Sequence, residues 1–202
     1  MCVLALAVVS FLLGGAPLPA AGLASLELDG GLVFLGSTDP DSAPSPIMPA
    51  AGITFPLRSF GRLGLQGSVL LFGTPYQYAN DRASPAEPEH REFWAQALCA
   101  DARLSRDWPL NEKVALGANA GLALLVRAPI PLSSEASQEF GATLGYLFGR
   151  LRFLYPETGF YARIALSDRL ELRPSLRAAW PLYLLWDAEN LSFQAGLLVS
   201  VL

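Results

Sequence analysis

One histidine, His90, is all the imidazole chemistry this chain contains. It lies among Asp81, Ser84, Glu87 and Glu89, a His/Ser/acid set of the kind that can activate a hydroxyl for attack on an ester. A triad is defined by geometry and not by nearness in sequence, and the spacing here matches no nucleophile motif. A polar loop tip accounts for the same residues, so no catalytic residue is assigned and an enzyme is not expected. A single histidine rules out a His pair for a metal, and Cys99 stands alone once Cys2 is set aside. No glycine-rich phosphate loop or zinc-ligand spacing occurs, so no cofactor and no metal are expected.

The other charges of interest sit at alternate positions of apolar segments. Glu27, Asp29, Asp101 and Glu171 are the acids; Arg103, Arg163, Arg173 and Arg177 are the bases. In Leu170–Tyr183 the even positions run Leu170, Leu172, Pro174, Leu176, Ala178, Trp180 and Leu182, while Glu171, Arg173 and Arg177 fall on the odd ones. A two-residue period is the signature of a β-strand with two unlike faces. Lys113–Arg127 repeats it: Val114, Leu116, Leu122, Leu124 and Val126 face one way, and Gly117, Asn119, Gly121 and Ala123 the other. The second face is small, as the crowded interior of a narrow barrel requires.

Six further segments alternate similarly: 25–36, 47–57, 62–73, 93–104, 159–167 and 191–202. The spacing therefore predicts an all-β, eight-stranded antiparallel up-and-down barrel. Connections 57–61, 105–112 and 167–169 are short, whereas 37–46, 74–91 and 128–158 are long. A transmembrane barrel has short periplasmic turns and longer extracellular loops. Within the third long connection, Phe140, Leu144, Leu147 and Phe148 after Ser133/Ser134 predict a short amphipathic helix. A ninth strand there would make the count odd.

Composition places the barrel in a membrane. The chain is 52% hydrophobic and 16% charged, with mean hydropathy +0.35; soluble domains carry about a quarter charged residues. The strand faces opposite the apolar ones are rich in Gly, Ala and Ser, a poor solvated exterior but a good packed lumen. The eight charged residues above are expected to pair inside that lumen, because buried charges are tolerated only in pairs. Tyr76, Tyr78, Trp94, Trp180, Tyr183 and Trp186 at the loop end, and Trp108 at the turn end, are expected to form aromatic girdles at the two interfaces. Net charge −4 and pI near 5.0 offer no basic face for nucleic acid.

The first 24 residues are uncharged, with an apolar core from Cys2 to Leu13 and then Gly14, Gly15, Pro17 and Pro19. This is the pattern of a secretory signal peptide, without its usual positive start, cleaved after Ala24. The expected organisation is a signal over residues 1–24 and one barrel domain over 25–202.

The alternating strands, the long–short order of connections and the signal segment resemble the small eight-stranded bacterial outer-membrane barrels of the OmpA or OmpX kind. More narrowly, residues 152–161 (Arg-Phe-Leu-Tyr-Pro-Glu-Thr-Gly-Phe-Tyr) and 180–187 (Trp-Pro-Leu-Tyr-Leu-Leu-Trp-Asp) resemble small spirochaetal outer-membrane proteins. The chain departs from the usual pattern in ending Val201-Leu202, where many such barrels end on an aromatic residue. The resemblance implies an outer-membrane location, contact with outer-membrane lipid and with the assembly machinery, and a monomer. The function expected is structural or surface-interacting, through loops that could take an extracellular ligand. A narrow solute channel, a lipid-modifying enzyme and a soluble lipocalin-like binding barrel are the alternatives.

Overall fold

The computed structural model describes residues 27–35, 47–167 and 170–182, and the backbone of 192–201. The strands are β1 (Glu27–Leu35), β2 (Met48–Phe60), β3 (Leu63–Ala79), β4 (Arg82–Pro85), β5 (Phe93–Pro109), β6 (Val114–Pro131), β7 (Leu154–Ser167), β8 (Leu170–Ala179) and β9 (Ser192–Val201). One α-helix, α1, spans Ser134–Phe148. Each long strand pairs antiparallel with the next along the chain, and β1 pairs with β9, closing the ring. The architecture is an eight-stranded up-and-down barrel, with β4 as a short extra strand on the outer end of β3. Closure leaves the barrel wall no unpaired edge.

The two faces of each strand divide as the alternation dictates. Leu28, Leu32, Leu71, Leu116, Phe160 and Leu176 are exposed on the outside, Phe160 by 68% and Leu28 by 61%. Asp29, Thr54, Ser68, Asp101, Arg103, Asn119, Arg173 and Arg177 are buried inside. A soluble barrel would have to solvate that apolar exterior, which no monomeric soluble surface of this extent does.

The strands on one side outrun the expected boundaries. β3 continues past Gly73 to Ala79, and Asn80 and Asp81, with φ of 52° and 59°, turn the chain into β4. Two successive left-handed residues are the signature of a tight hairpin turn, and Asn and Asp tolerate that conformation best after glycine. The stretch 74–91, expected as a loop, is thus largely a hairpin. β5 runs to Pro109, β6 to Pro131, and β7 starts at Leu154 instead of Gly159. Pro75 and Pro129 lie within these extensions; a proline is tolerated where a strand's N–H is not needed by a partner.

The helix forms where the sequence placed it. The Ser133 hydroxyl accepts a hydrogen bond from the Ala136 amide at 3.0 Å, an N-cap, and Glu135 occupies the first turn. Its buried face is Ala136, Thr143 and Leu147. Phe140 and Phe148, expected on that face, are 38% and 42% exposed. The helix packs on β6, β4 and β3 at the loop end of the barrel.

Candidate functional site

The interior is built in three levels. At mid-barrel, Arg177 reaches Asp29 and Asp101, each at 3.3 Å. Arg103 lies 2.8 Å from Asp101 and 3.7 Å from Glu157. Thr54 donates to Asp29 at 3.5 Å, and the Ser68 hydroxyl donates to Asp101. All five residues are buried, so this level shuts the barrel with carboxyl and guanidinium side chains from β1, β5, β7 and β8. Three carboxylates here meet two guanidinium groups. Gly121 sits between Arg103 and Glu157 in the strand register, and a Cβ there would lie 2.8 Å from the Arg103 Cγ. Only glycine lets the arginine lie flat across β6 toward Glu157.

Toward the turn end, Arg173 grips both oxygens of Glu27 at 3.2 Å and reaches Glu171 at 3.1 Å. Such a two-pronged pair is the strongest geometry a guanidinium and a carboxylate can adopt. Arg163 donates to Glu171 at 2.9 Å and also pairs with Asp107, which accepts from the Tyr161 hydroxyl. The Tyr161 ring lies over Gly117, where a Cβ would fall 2.1 Å from the ring.

Toward the loop end the interior turns apolar. Val33, Leu35, Leu70, Phe72, Tyr76, Phe93, Cys99, Leu125 and Tyr155 form one cluster, which Ala136 and Leu147 of α1 close from above. Arg127 enters this chamber, donating to the Tyr76 hydroxyl at 3.0 Å and to the Arg152 carbonyl at 2.7 Å. Arg152 in turn stacks 3.7 Å from the centre of the Tyr146 ring.

The eight charged residues singled out in the sequence thus lie at two adjoining levels, four around mid-barrel or beside it (Asp29, Asp101, Arg103, Arg177) and four nearer the turns (Glu27, Arg163, Glu171, Arg173). The reading passed over Asp107 and Glu157, because both fell in stretches assigned to connections; extending the alternation of β5 and β7 by a few residues would have found them. The expected girdle is changed at two positions, Tyr76 and Tyr78: even-numbered positions of β3 face the lumen, and Tyr76 is 1% exposed. Tyr78, on the same face, packs against the apolar cluster. Trp94 and Trp180 are half-buried, Trp94 lying over Gly73, and Trp108 is exposed near the turns. Tyr183, Trp186 and the signal segment lie outside the described residues.

Of the polar set around His90, Asp81 is in the hairpin turn, Ser84 is buried in β4, and the backbone of His90 ends a short 3₁₀ turn, Pro88–His90. Among the described residues no group of three or more His, Cys, Asp or Glu side chains is arranged to hold a metal.

On the outer wall, a groove of about 270 Å³ crosses β3, β5 and β6. Its floor is Gly67, Ala100 and Ala102, and its banks are Phe55 and Leu57 on one side and Leu122 and Leu124 on the other. Ala100, although it faces outward, is only 6% exposed.

Two solved structures share this architecture. Neisserial surface protein A matches with a TM-score of 0.58 at 11% identity, over 88% of this chain and 95% of that one. The fold is that of a bacterial outer-membrane β-barrel. The outer membrane protein OprG from Pseudomonas aeruginosa matches with a TM-score of 0.53 at 10% identity, again over 88% and 95%. No family model matches the sequence, and no curated protein sequence matches it. The apolar outer wall is therefore the lipid-facing band of an outer-membrane barrel, and it crosses the membrane with strands, no described helix being long and apolar enough to do so.

Proposed function

We propose that this barrel is a closed, non-enzymatic outer-membrane protein, structural or surface-interacting through its loop end. The mid-barrel ion network carries the reading. Eight strands enclose a space only wide enough for side chains. Here that space is filled by Asp29, Asp101, Glu157, Arg103 and Arg177, all buried, with an apolar chamber and α1 stacked above. An ion would have to break paired charges to pass. What is left accessible to a partner is the loop end, where the β3–β4 hairpin, the 3₁₀ turn after it and α1 carry Asp81, Glu87, Glu89, Glu135 and Glu139. Outer-membrane lipid and the assembly machinery are the remaining partners, and a chain that closes its own sheet has no edge requiring a second copy.

Purified protein refolded into a planar bilayer tests the closed lumen. Silence at all voltages is expected; reproducible ion-selective steps would replace this reading with a channel. Replacing α1 by a short turn should leave a barrel that still migrates differently in SDS before and after boiling, while removing any binding of the wild-type surface to cells or matrix.

A further inference from the structure

The turn end carries four basic side chains that the lumen network does not use: Arg58, Arg62, Arg106 and Lys113. All four are exposed, and none pairs with a carboxylate among the described residues. Two of them are stacked on exposed aromatics. The Arg58 guanidinium lies 5.1 Å from the centre of the Phe60 ring, and that of Arg106 5.6 Å from the Trp108 ring.

A bulge brings these groups to the outside. The β2–β3 register slips between Pro56 and Arg58, so that Arg58 pairs with Leu65 and Phe60 with Leu63, both outward-facing residues. Without the slip, Phe55 and Leu57 would share the outer face with Ser59, and Arg58 would point inward. Arg106 pairs with Leu63 from the other side. Arg58 and Arg106 therefore flank β3 on its lipid-facing surface, two strands across and two residues along, about 12 Å apart.

Directly along the same strands lies the outer groove. Leu57 adjoins Arg58, and Ala102 is four positions from Arg106 on β5. From Arg106 to Ala100 is six positions, about 20 Å of strand, the length of a long acyl chain. Cationic forks at the level where the apolar band ends, with an apolar groove leading away from them into the band, match the two halves of one kind of molecule.

We propose that this face is a binding site for an anionic phospholipid of the turn-side leaflet. The phosphate sits between Arg58 and Arg106, within reach of Arg62, and one acyl chain lies in the groove over Ala100 and Ala102. Continuity of the groove with the lipid-facing band selects a membrane lipid over a protein as occupant, and the unpaired arginines select a negative headgroup. The inference rests on the membrane reading above.

Native mass spectrometry of the barrel released from vesicles of phosphatidylglycerol and phosphatidylcholine with identical chains tests it. The wild type should retain phosphatidylglycerol preferentially. Arg58→Gln with Arg106→Gln should lower that preference, by about fivefold per arginine if each contributes ~1 kcal/mol against an anionic headgroup. Arg58→Lys with Arg106→Lys should keep most of it. Ala100→Leu, which fills the groove, should reduce retention of both lipids and leave the headgroup ratio intact. Equal retention of both lipids by an inserted wild-type barrel would overturn the proposal alone. So would an Ala100→Leu variant that binds as before while inorganic phosphate strips the lipid, because the site would then be one for a bare anion. Failure of the wild type to insert at all would overturn the membrane reading and this one with it.

Discussion

The middle of the barrel and its loop end are held together by opposite physics. At mid-barrel, carboxyl and guanidinium groups from four strands are locked together in a buried space, where losing a shared partner is costly. At the loop end, β3, β5 and β6 rise as a tall wall of 17, 17 and 18 residues whose inner face is aromatic and aliphatic, covered by α1. On the opposite side β8 ends at Ala179. A spanning strand needs only about 9–11 residues. The tall wall is longer than one crossing of the bilayer requires, and its surplus builds the chamber beyond it. The polar level fixes the barrel; the apolar level fixes only what stands on it.

That contrast can be broken most severely at Arg177. Arg177→Ala leaves Asp29 and Asp101 without their shared partner and is expected to cost ~3–5 kcal/mol of global stability, read by urea unfolding from lipid vesicles. A smaller loss would mean that water reaches this level. At the other end, Leu147→Ala should cost about 2 kcal/mol, the low end for such a truncation, and only locally. Amide exchange would quicken in α1 and the outer turns of β3 and β4 while the urea midpoint of the barrel stays put; a matching global shift would erase the distinction between the two levels.

Removing the helix cap with Ser133→Ala should loosen α1 by ~1 kcal/mol, again visible in its amide protection alone. Glu157 sharpens the polar side of the comparison. It is the third carboxylate in a level with two guanidinium groups and makes the longest contact there, so Glu157→Gln is expected to be neutral or slightly stabilising in the same urea assay. A large loss would show that Glu157 is as necessary as Asp101.

The smallest effect is one of pH on α1. Glu135 is held below the usual carboxylate range by backbone hydrogen bonding at the helix start, and by the Ser133 and Ser134 hydroxyls. A carboxyl lowered in the folded state contributes stability that is present above its unfolded value and lost as pH falls through its folded one. Protection of the α1 amides should therefore decline as pH drops from about 7 to about 3, and Glu135→Gln should flatten part of that decline.

Where the two faces of a strand differ in polarity, the sequence was readable to the residue. Asp101 and Arg103 against Leu104, or Arg173 and Arg177 against Leu172 and Leu176, give the face, the neighbours and the lumen content together. Legibility failed where both faces are apolar or uncharged. In β3 beyond Gly73 the inner positions are Thr74, Tyr76 and Tyr78 and the outer ones Pro75 and Gln77, so the period of two carries no contrast. Tyr76 was consequently given to the lipid interface, when the chamber under α1 claims it. Asp107 and Glu157 were lost to the same truncation of strands. Arg58 was placed in the connection 57–61, whereas β2 runs on to Phe60 through a bulge that turns Arg58 outward.

The seam between β1 and β9 also has a bearing on time. Seven of the eight junctions in the ring join neighbours along the chain and can form as local hairpins; the eighth joins the first strand to the last. It cannot be made until the whole wall exists, and until then two strand edges stand open to any other chain that offers one. Asp29, on the first strand, meets Arg177, on the next to last, only once the ring is shut, so this one contact of the polar level acts as a latch on the seam. Closing is the junction of greatest sequence separation in the wall, the kind of contact whose loop-closure cost falls due last, and the Asp29–Arg177 pair joins the network only with it.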